Sequence, residues 1–137
     1  MTPRYLIDKS ALARMLNETV QDRLAPIIEA GEAATCAIID LEVLFSARNR
    51  EEHDLIRYRR ALAYESVPID DTILGRAIDI QAELARSGCH RIPIADLIIA
   101  ATAEAAGLTI LHYDRDYDLI AEVTHQPVEW VVERGSL

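Results

Sequence analysis

Short apolar runs alternate with helix-length segments along the whole chain, and that alternation constrains the fold more than any other feature. Tyr5-Leu6-Ile7 ends abruptly at Asp8, and Ser10-Ala11-Leu12-Ala13 opens a helical pattern. Residues 20–30 form a helix with Leu24, Ile27 and Ile28 on one face and Gly31 as its stop, and Ala33 to Cys36 reads as the next strand. A helix over 38–47 follows, with Ile38, Leu41 and Phe45 on its apolar face and Ile39 and Val43 widening it. A long helix over 50–64, a weak strand over 66–69, and a helix capped by Asp70 or Asp71 that runs to Arg86 and stops at Gly88 come next. Pro93 opens a helix over 94–106 that Gly107 ends, residues 108–112 form the clearest strand, and residues 128–132 form the last. Parallel neighbours need crossovers, and the helices supply them, so the fold class is α/β with βα units around a mostly parallel sheet. In such sheets the active crevice lies beyond the carboxyl ends of the strands.

The chain length of 137 residues suits one domain over 1–137, with no Ser/Gly/Pro-rich linker to divide it. Half of the residues are hydrophobic and 27% are charged, which excludes a disordered acidic tail. The apolar stretch near Ile98 to Ala103 is flanked by Asp96 and Glu104 and is too short to span a bilayer. The N-terminal residues lack the pattern of a secretory signal, so the expected compartment is the cytoplasm, without membrane attachment. Cys36 and Cys89 form no zinc-binding spacing and read as free thiols. The net charge of −9 argues against a simple nucleic-acid binder that works by overall positive charge.

Four acids stand out against this frame. Asp8 and Asp114 each follow a strand and leave the same edge of the sheet. Asp96 lies in the first turns of a helix apolar nearly all round, and Glu42 is set in Ile38-Ile39-Asp40-Leu41-Glu42-Val43-Leu44-Phe45. Taken singly, Asp8 could cap the first helix, Asp96 could favour a helix dipole or pair with an arginine, Asp114 could be a turn residue, and Glu42 could be salt-bridged. Converging on one edge, they would repel one another unless cations are present. Mg²⁺ and Mn²⁺ prefer carboxylate oxygens, and a carboxylate site holding them suits hydrolysis of a phosphodiester by an activated water. The glycines are isolated, so no phosphate-cradling loop for a nucleoside triphosphate is present.

Asp8-Lys9-Ser10 after the first strand, Glu42 in the third helix, Asp96-Leu97-Ile98-Ile99-Ala100-Ala101, and Asp114-Arg115-Asp116-Tyr117 after a strand together resemble the PIN-domain ribonucleases, and most closely the VapC-type toxins of bacterial toxin–antitoxin pairs. The resemblance implies a three-layer α/β/α fold, Mg²⁺- or Mn²⁺-dependent endoribonuclease activity, a cognate antitoxin and a homodimer. Carried over by motif, Asp8, Glu42, Asp96 and Asp114 are the metal-binding and catalytic acids. Asp8 and Asp96 are expected to hold the principal ion, and Glu42 and Asp114 to act through water or a second ion. Ser10 matches the small hydroxyl residue that supports the first acid. His112 stands where the family often has Thr or Ser, and Tyr117 replaces a common Phe. Asp116 and Asp118 compete with Asp114 for the fourth position, with Asp116 the stronger supporting candidate. Asp40 and Glu42 point to different helix faces, so only one can join the cluster, and the family pattern favours Glu42.

RNA contacts are expected from Lys9 and Arg115, which flank the acids, and from a stripe on the helix beginning near residue 50. There Arg50, His53, Arg57, Arg60 and Tyr64 span an arc of roughly 80°. Leu55, Tyr58 and Leu62 occupy a nearly opposite arc and are expected to face the core, and Trp130 reads as a packing residue. Two other functions remain open at this point. A haloacid dehalogenase-type phosphatase also places Asp after the first strand, but it wants a second Asp where Ser10 stands. A catalytically silent binding module would use the same acids to grip a basic partner.

Overall fold

The computed structural model describes residues 2–137, so Met1, part of the segment read for a leader, lies outside it. In chain order the elements are β1 (Tyr5–Ile7), α1 (Lys9–Leu12), α2 (Glu18–Glu29), β2 (Ala33–Thr35), α3 (Ala37–Leu44), α4 (Arg50–Ala63), β3 (Glu65–Ser66), α5 (Asp71–Ala85), α6 (Ile94–Ala106), β4 (Thr109–His112), α7 (Asp116–Thr124) and β5 (Val128–Trp130). The strands form one sheet in the order β3-β2-β1-β4-β5, and every pairing is parallel.

Strand β1 is central because both its faces and both its edges are covered. Tyr5 pairs with Ala33 on one side and Thr109 on the other, and all three of its residues are buried. Successive side chains point to opposite faces of a strand, which divides the core in two. Leu6, Ala34 and Ile110 face one layer with residues of α3, α5, α6 and α7. Tyr5, Ile7, Ala33 and Leu111 face the other, with Ala11, Val20, Leu24 and Ile27 from the α1 and α2 side. This is the α/β/α sandwich that the family resemblance implies.

Local chemistry sets the helix ends. The Asn17, Asn49 and Asp70 side chains accept the first free backbone N–H groups of α2, α4 and α5. Gly107 ends α6 at a φ of 68°, in the left-handed region where a side chain is costly. Among the described residues no helix is long and apolar enough to cross a membrane.

Two regions depart from the sequence expectations. On α4 the expected core face turns outward, with Tyr58 and Leu62 63% and 72% exposed and Leu55 exposed too, while of the arginine stripe Arg60 is only 8% exposed and Arg50 and Arg57 stay exposed. On α3 it is Ile39 that is buried, while Leu41 and Phe45 are exposed. On α4 the turn follows from one ion pair in which Arg60 is buried and Asp40 half-buried. Arg60 Nε donates to Asp40 Oδ1 at 3.0 Å, Arg60 Nη2 donates to Thr35 Oγ1 at 2.9 Å, and Thr35 Oγ1 donates to Asp40 at 2.9 Å. The Arg60 guanidinium also lies 4.5 Å from the Tyr64 ring centroid. Satisfied on every side, the arginine can face the sheet, and the apolar residues of α4 are turned away from it. The weak strand also falls one residue early, at Glu65–Ser66, and α7 forms where no helix is predicted.

Candidate active site

The carboxyl ends of β1 and β4 and the first turn of α6 converge on a pocket of acids. Asp8 leaves β1 and caps α1, with Oδ2 accepting the Ser10 N–H at 3.0 Å. The capping role and a site role therefore coexist in one residue. Its Oδ1 accepts the Tyr117 hydroxyl at 2.8 Å, and the same hydroxyl lies 3.4 Å from Asp96 Oδ1. Tyr117 comes from α7 and is fully buried, so its hydroxyl is held between two carboxylates.

Asp96 sits in the first turn of α6, where the helix dipole favours an anion. That favour is outweighed: burial pushes its pKa up to about 7, and the Asp8, Asp114, Asp116 and Glu42 charges add to the rise. Its Oδ2 is buried without a hydrogen-bond partner. Asp114 lies in the β4–α7 turn, where its Oδ1 accepts the Asp116 N–H at 2.9 Å and its own N–H donates to His112 Nδ1 at 3.1 Å. The replacement of a hydroxyl residue by His112 thus still holds the turn that carries Asp114. Burial pushes the His112 pKa down, against the Asp118, Asp8 and Asp114 charges, which pull it up.

Asp96, Asp114 and Asp116 each offer an oxygen within 4.8 Å of the others, a spacing that could hold a metal ion. Both Asp114 and Asp116 therefore reach the site, and neither displaces the other. Burial pushes the Asp116 carboxyl up, Asp114 adds to this, and Arg115 opposes it. Glu42 faces the same centre from α3. Burial first, then Asp8, pushes its carboxyl up, Lys9 pulls it down, and its Oε1 is buried without a partner. Asp40, two residues earlier, turns to Arg60 instead, as the helix geometry requires.

The residues fit a hard divalent cation. The donors are carboxylates, two of their buried oxygens lack any protein donor, and the neighbouring histidine has its Nδ1 engaged. The Ser10 hydroxyl accepts the Tyr113 N–H at 2.8 Å, so Ser10 supports Asp8 through its backbone N–H and ties α1 to the end of β4. Arg60 is withdrawn from the stripe of RNA-contacting residues because it is buried and ion-paired, whereas Arg57 remains exposed. Tyr117 reads from the sequence as a packing residue. The signal that could have exposed it is the departure from Phe, which adds one hydroxyl deep inside an acidic centre.

The PIN domain model matches residues 5–123. Ribonuclease VapC21 of Mycobacterium tuberculosis is 49% identical over 137 residues, covering 99% of both chains. Ribonuclease VapC51 of the same organism is 39% identical over 137 residues, covering 100% of this chain and 99% of the relative. Among solved structures, DNA-bound VapBC from Salmonella typhimurium has a TM-score of 0.75 at 18% identity, covering 95% of this chain and 99% of that one. VapBC-1 from nontypeable Haemophilus influenzae has a TM-score of 0.75 at 14% identity, covering 97% and 100%; at such identities the likeness is one of fold. With the family model matched along most of its length and a VapC ribonuclease alike across nearly all of it, the chain belongs to the PIN-domain family and, within it, to the VapC group.

Proposed function

We propose that the protein is a Mg²⁺- or Mn²⁺-dependent endoribonuclease and the toxin half of a toxin–antitoxin pair that inhibits translation. The observation that carries this reading is the set of mutually repelling, partly unpartnered carboxylates at the carboxyl edge of the sheet, in a chain closely similar to VapC ribonucleases. Asp8, Asp96 and Asp114 would hold the cation, joined by Asp116, with Glu42 at the margin of the centre. When bound, such a cation stabilises charge on a phosphoryl oxygen and acidifies a water. Lys9 and Arg115 flank the acids and are suited to hold the scissile phosphate against their net negative charge. A cation held there would favour the charged form of Asp96, and the Tyr117 hydroxyl keeps one oxygen of Asp8 fixed.

A silent module gripping a basic partner is less well supported, since the full-length relatives carry ribonuclease names. A protein partner is nevertheless expected beside the activity. Leu41, Phe45, Leu55, Tyr58 and Leu62 leave α3 and α4 with an exposed apolar surface, and Leu74, Ile78 and Ile94 do the same on α5 and α6. Two such surfaces suit an antitoxin and a second copy of the chain, in the cytoplasm. The decisive test is RNA cleavage by the purified protein. Cleavage should require Mg²⁺ or Mn²⁺, stop with EDTA, and be lost in Asp8→Asn and Asp96→Asn; equal cleavage in EDTA would refute the mechanism.

A further inference from the structure

We propose that a second, cationic cleft beside the acidic centre carries the single-stranded RNA flanking the cleavage point, with Arg14 and Arg134 as its phosphate-gripping residues. The proposal rests on the nuclease reading and extends it to the path of the strand. The cleft has a volume of about 530 Å³ and is walled by Ser10, Arg14, Tyr113, Arg115, Trp130 and Arg134, together with Asp114 of the acidic centre. A strand lying in it would therefore run directly into the carboxylates.

Ion pairing leaves the cationic wall of this cleft weakly compensated. Arg4, Arg23, Arg48, Arg50, Arg60, Arg76 and Arg86 are each paired with a carboxylate at 2.7–3.4 Å. Among the described residues Arg14, Arg57, Arg59, Arg91 and Arg115 have no such pair; of these Arg14 and Arg115 line the cleft, joined there by Arg134, which reaches Asp118 only at 3.7 Å while staying exposed. In a chain of net charge −9, three weakly compensated guanidiniums around one cleft form a local exception to the overall field.

The two named arginines are also held in advance. The Arg14 guanidinium lies 4.5 Å from the Tyr113 ring centroid and donates to the Ser10 carbonyl at 2.8 Å. The Arg134 guanidinium lies 5.5 Å from the Trp130 ring centroid. Trp130 is itself fixed, with Nε1 3.2 Å from both oxygens of Asp118 and its ring packed on His112 and Tyr113. The last residues are folded back onto this wall, where the Leu137 N–H donates to the Tyr113 hydroxyl at 3.2 Å. A guanidinium resting on a ring keeps outward N–H groups free and loses less freedom when it meets a phosphate.

The test is fluorescence anisotropy with a random-sequence single-stranded RNA pool, in full-length protein whose cleavage is silenced by Asp96→Asn, across a NaCl series. Adding Arg134→Glu should weaken binding about tenfold and flatten the salt dependence by about 0.7 in log–log slope, the share of one phosphate contact. Arg14→Gln, which keeps side-chain bulk over Tyr113, should act in the same direction. Arg59→Glu on α4, the same charge change on an exposed, unpaired arginine outside the cleft, should leave the slope as it was. Unchanged affinity and slope in both cleft variants, or an equal loss in Arg59→Glu, would overturn the cleft assignment. Failure of the nuclease reading itself would appear separately, as wild-type protein that cleaves no RNA with Mn²⁺.

Discussion

Helix α3 carries two carboxylates two residues apart that meet opposite fates. Asp40 turns toward β2 and α4, where Arg60 and Thr35 satisfy it. Glu42 turns toward Asp8 and Asp96, where no protein cation fully offsets it and one of its oxygens has no partner. Both are parts of half-buried polar clusters, but one is closed and the other is open. The closed cluster holds the fold together, and the open one stores repulsion that a bound cation would relieve. Incomplete compensation, rather than burial of charge as such, separates the site from the scaffold.

The comparison can be broken from either side. The largest effect is expected at the open cluster, where Asp96→Asn should lower metal-dependent cleavage by at least ~10²-fold, as removal of one preorganised electrostatic group does. The same change should stabilise the metal-free protein. Because the folded pKa of Asp96 is raised to about 7, the group favours folding below its unfolded value and loses that favour as pH rises toward the folded value. Denaturant titrations of wild type against Asp96→Asn should therefore diverge by roughly 1.4 kcal/mol per pH unit between the two pKa values.

At the closed cluster the signs differ. Arg60→Met should destabilise the protein by about 2 kcal/mol, because it removes a charged hydrogen-bond donor from the half-buried Asp40. A loss under ~1 kcal/mol in urea melts would show that Asp40 finds water instead. Between these extremes lies Tyr117→Phe, which deletes one hydroxyl and little volume. Groups that orient a metal-binding carboxylate typically contribute about 10–100-fold to metal affinity, so Mn²⁺ binding followed by the electron paramagnetic resonance of the free ion should weaken by that order. The smallest effect is expected at Arg57→Glu, on the exposed part of the α4 stripe, with an RNA affinity change of a few-fold that shrinks in high salt.

Much of the scaffold was legible because local chemistry and periodicity agree. Pro93 and Gly107 bound α6, Asp70 caps α5, and the run at 108–112 is a strand in a parallel sheet. The acids are legible as types and positions, and their gathering at one sheet edge follows from the parallel βα pattern, but the adjacency of β1 and β4 that sets Asp8 beside Asp114 is not encoded by residue spacing. The orientation of α4 was misread for a physical reason. Binary patterning assigns an arginine to solvent, and only the tertiary pairing of Arg60 with Asp40 and Thr35 reverses that preference. The cleft of Arg14 and Arg134 is out of reach for a related reason, since it joins residues brought together only by the folded sheet edge, whereas Tyr117 carries a signal in its departure from Phe.

Mutual repulsion among its carboxylates should destabilise the acidic centre until a cation binds. Thermal unfolding of wild type and Asp96→Asn at neutral pH or slightly above, each with EDTA and with Mn²⁺, tests it most directly. Asp96→Asn should unfold above wild type in EDTA, and Mn²⁺ should raise wild type by the amount expected for a ligand that binds only the folded state while leaving the variant nearly unmoved. A variant less stable than wild type in EDTA, together with an equal Mn²⁺ response in both proteins, would contradict it.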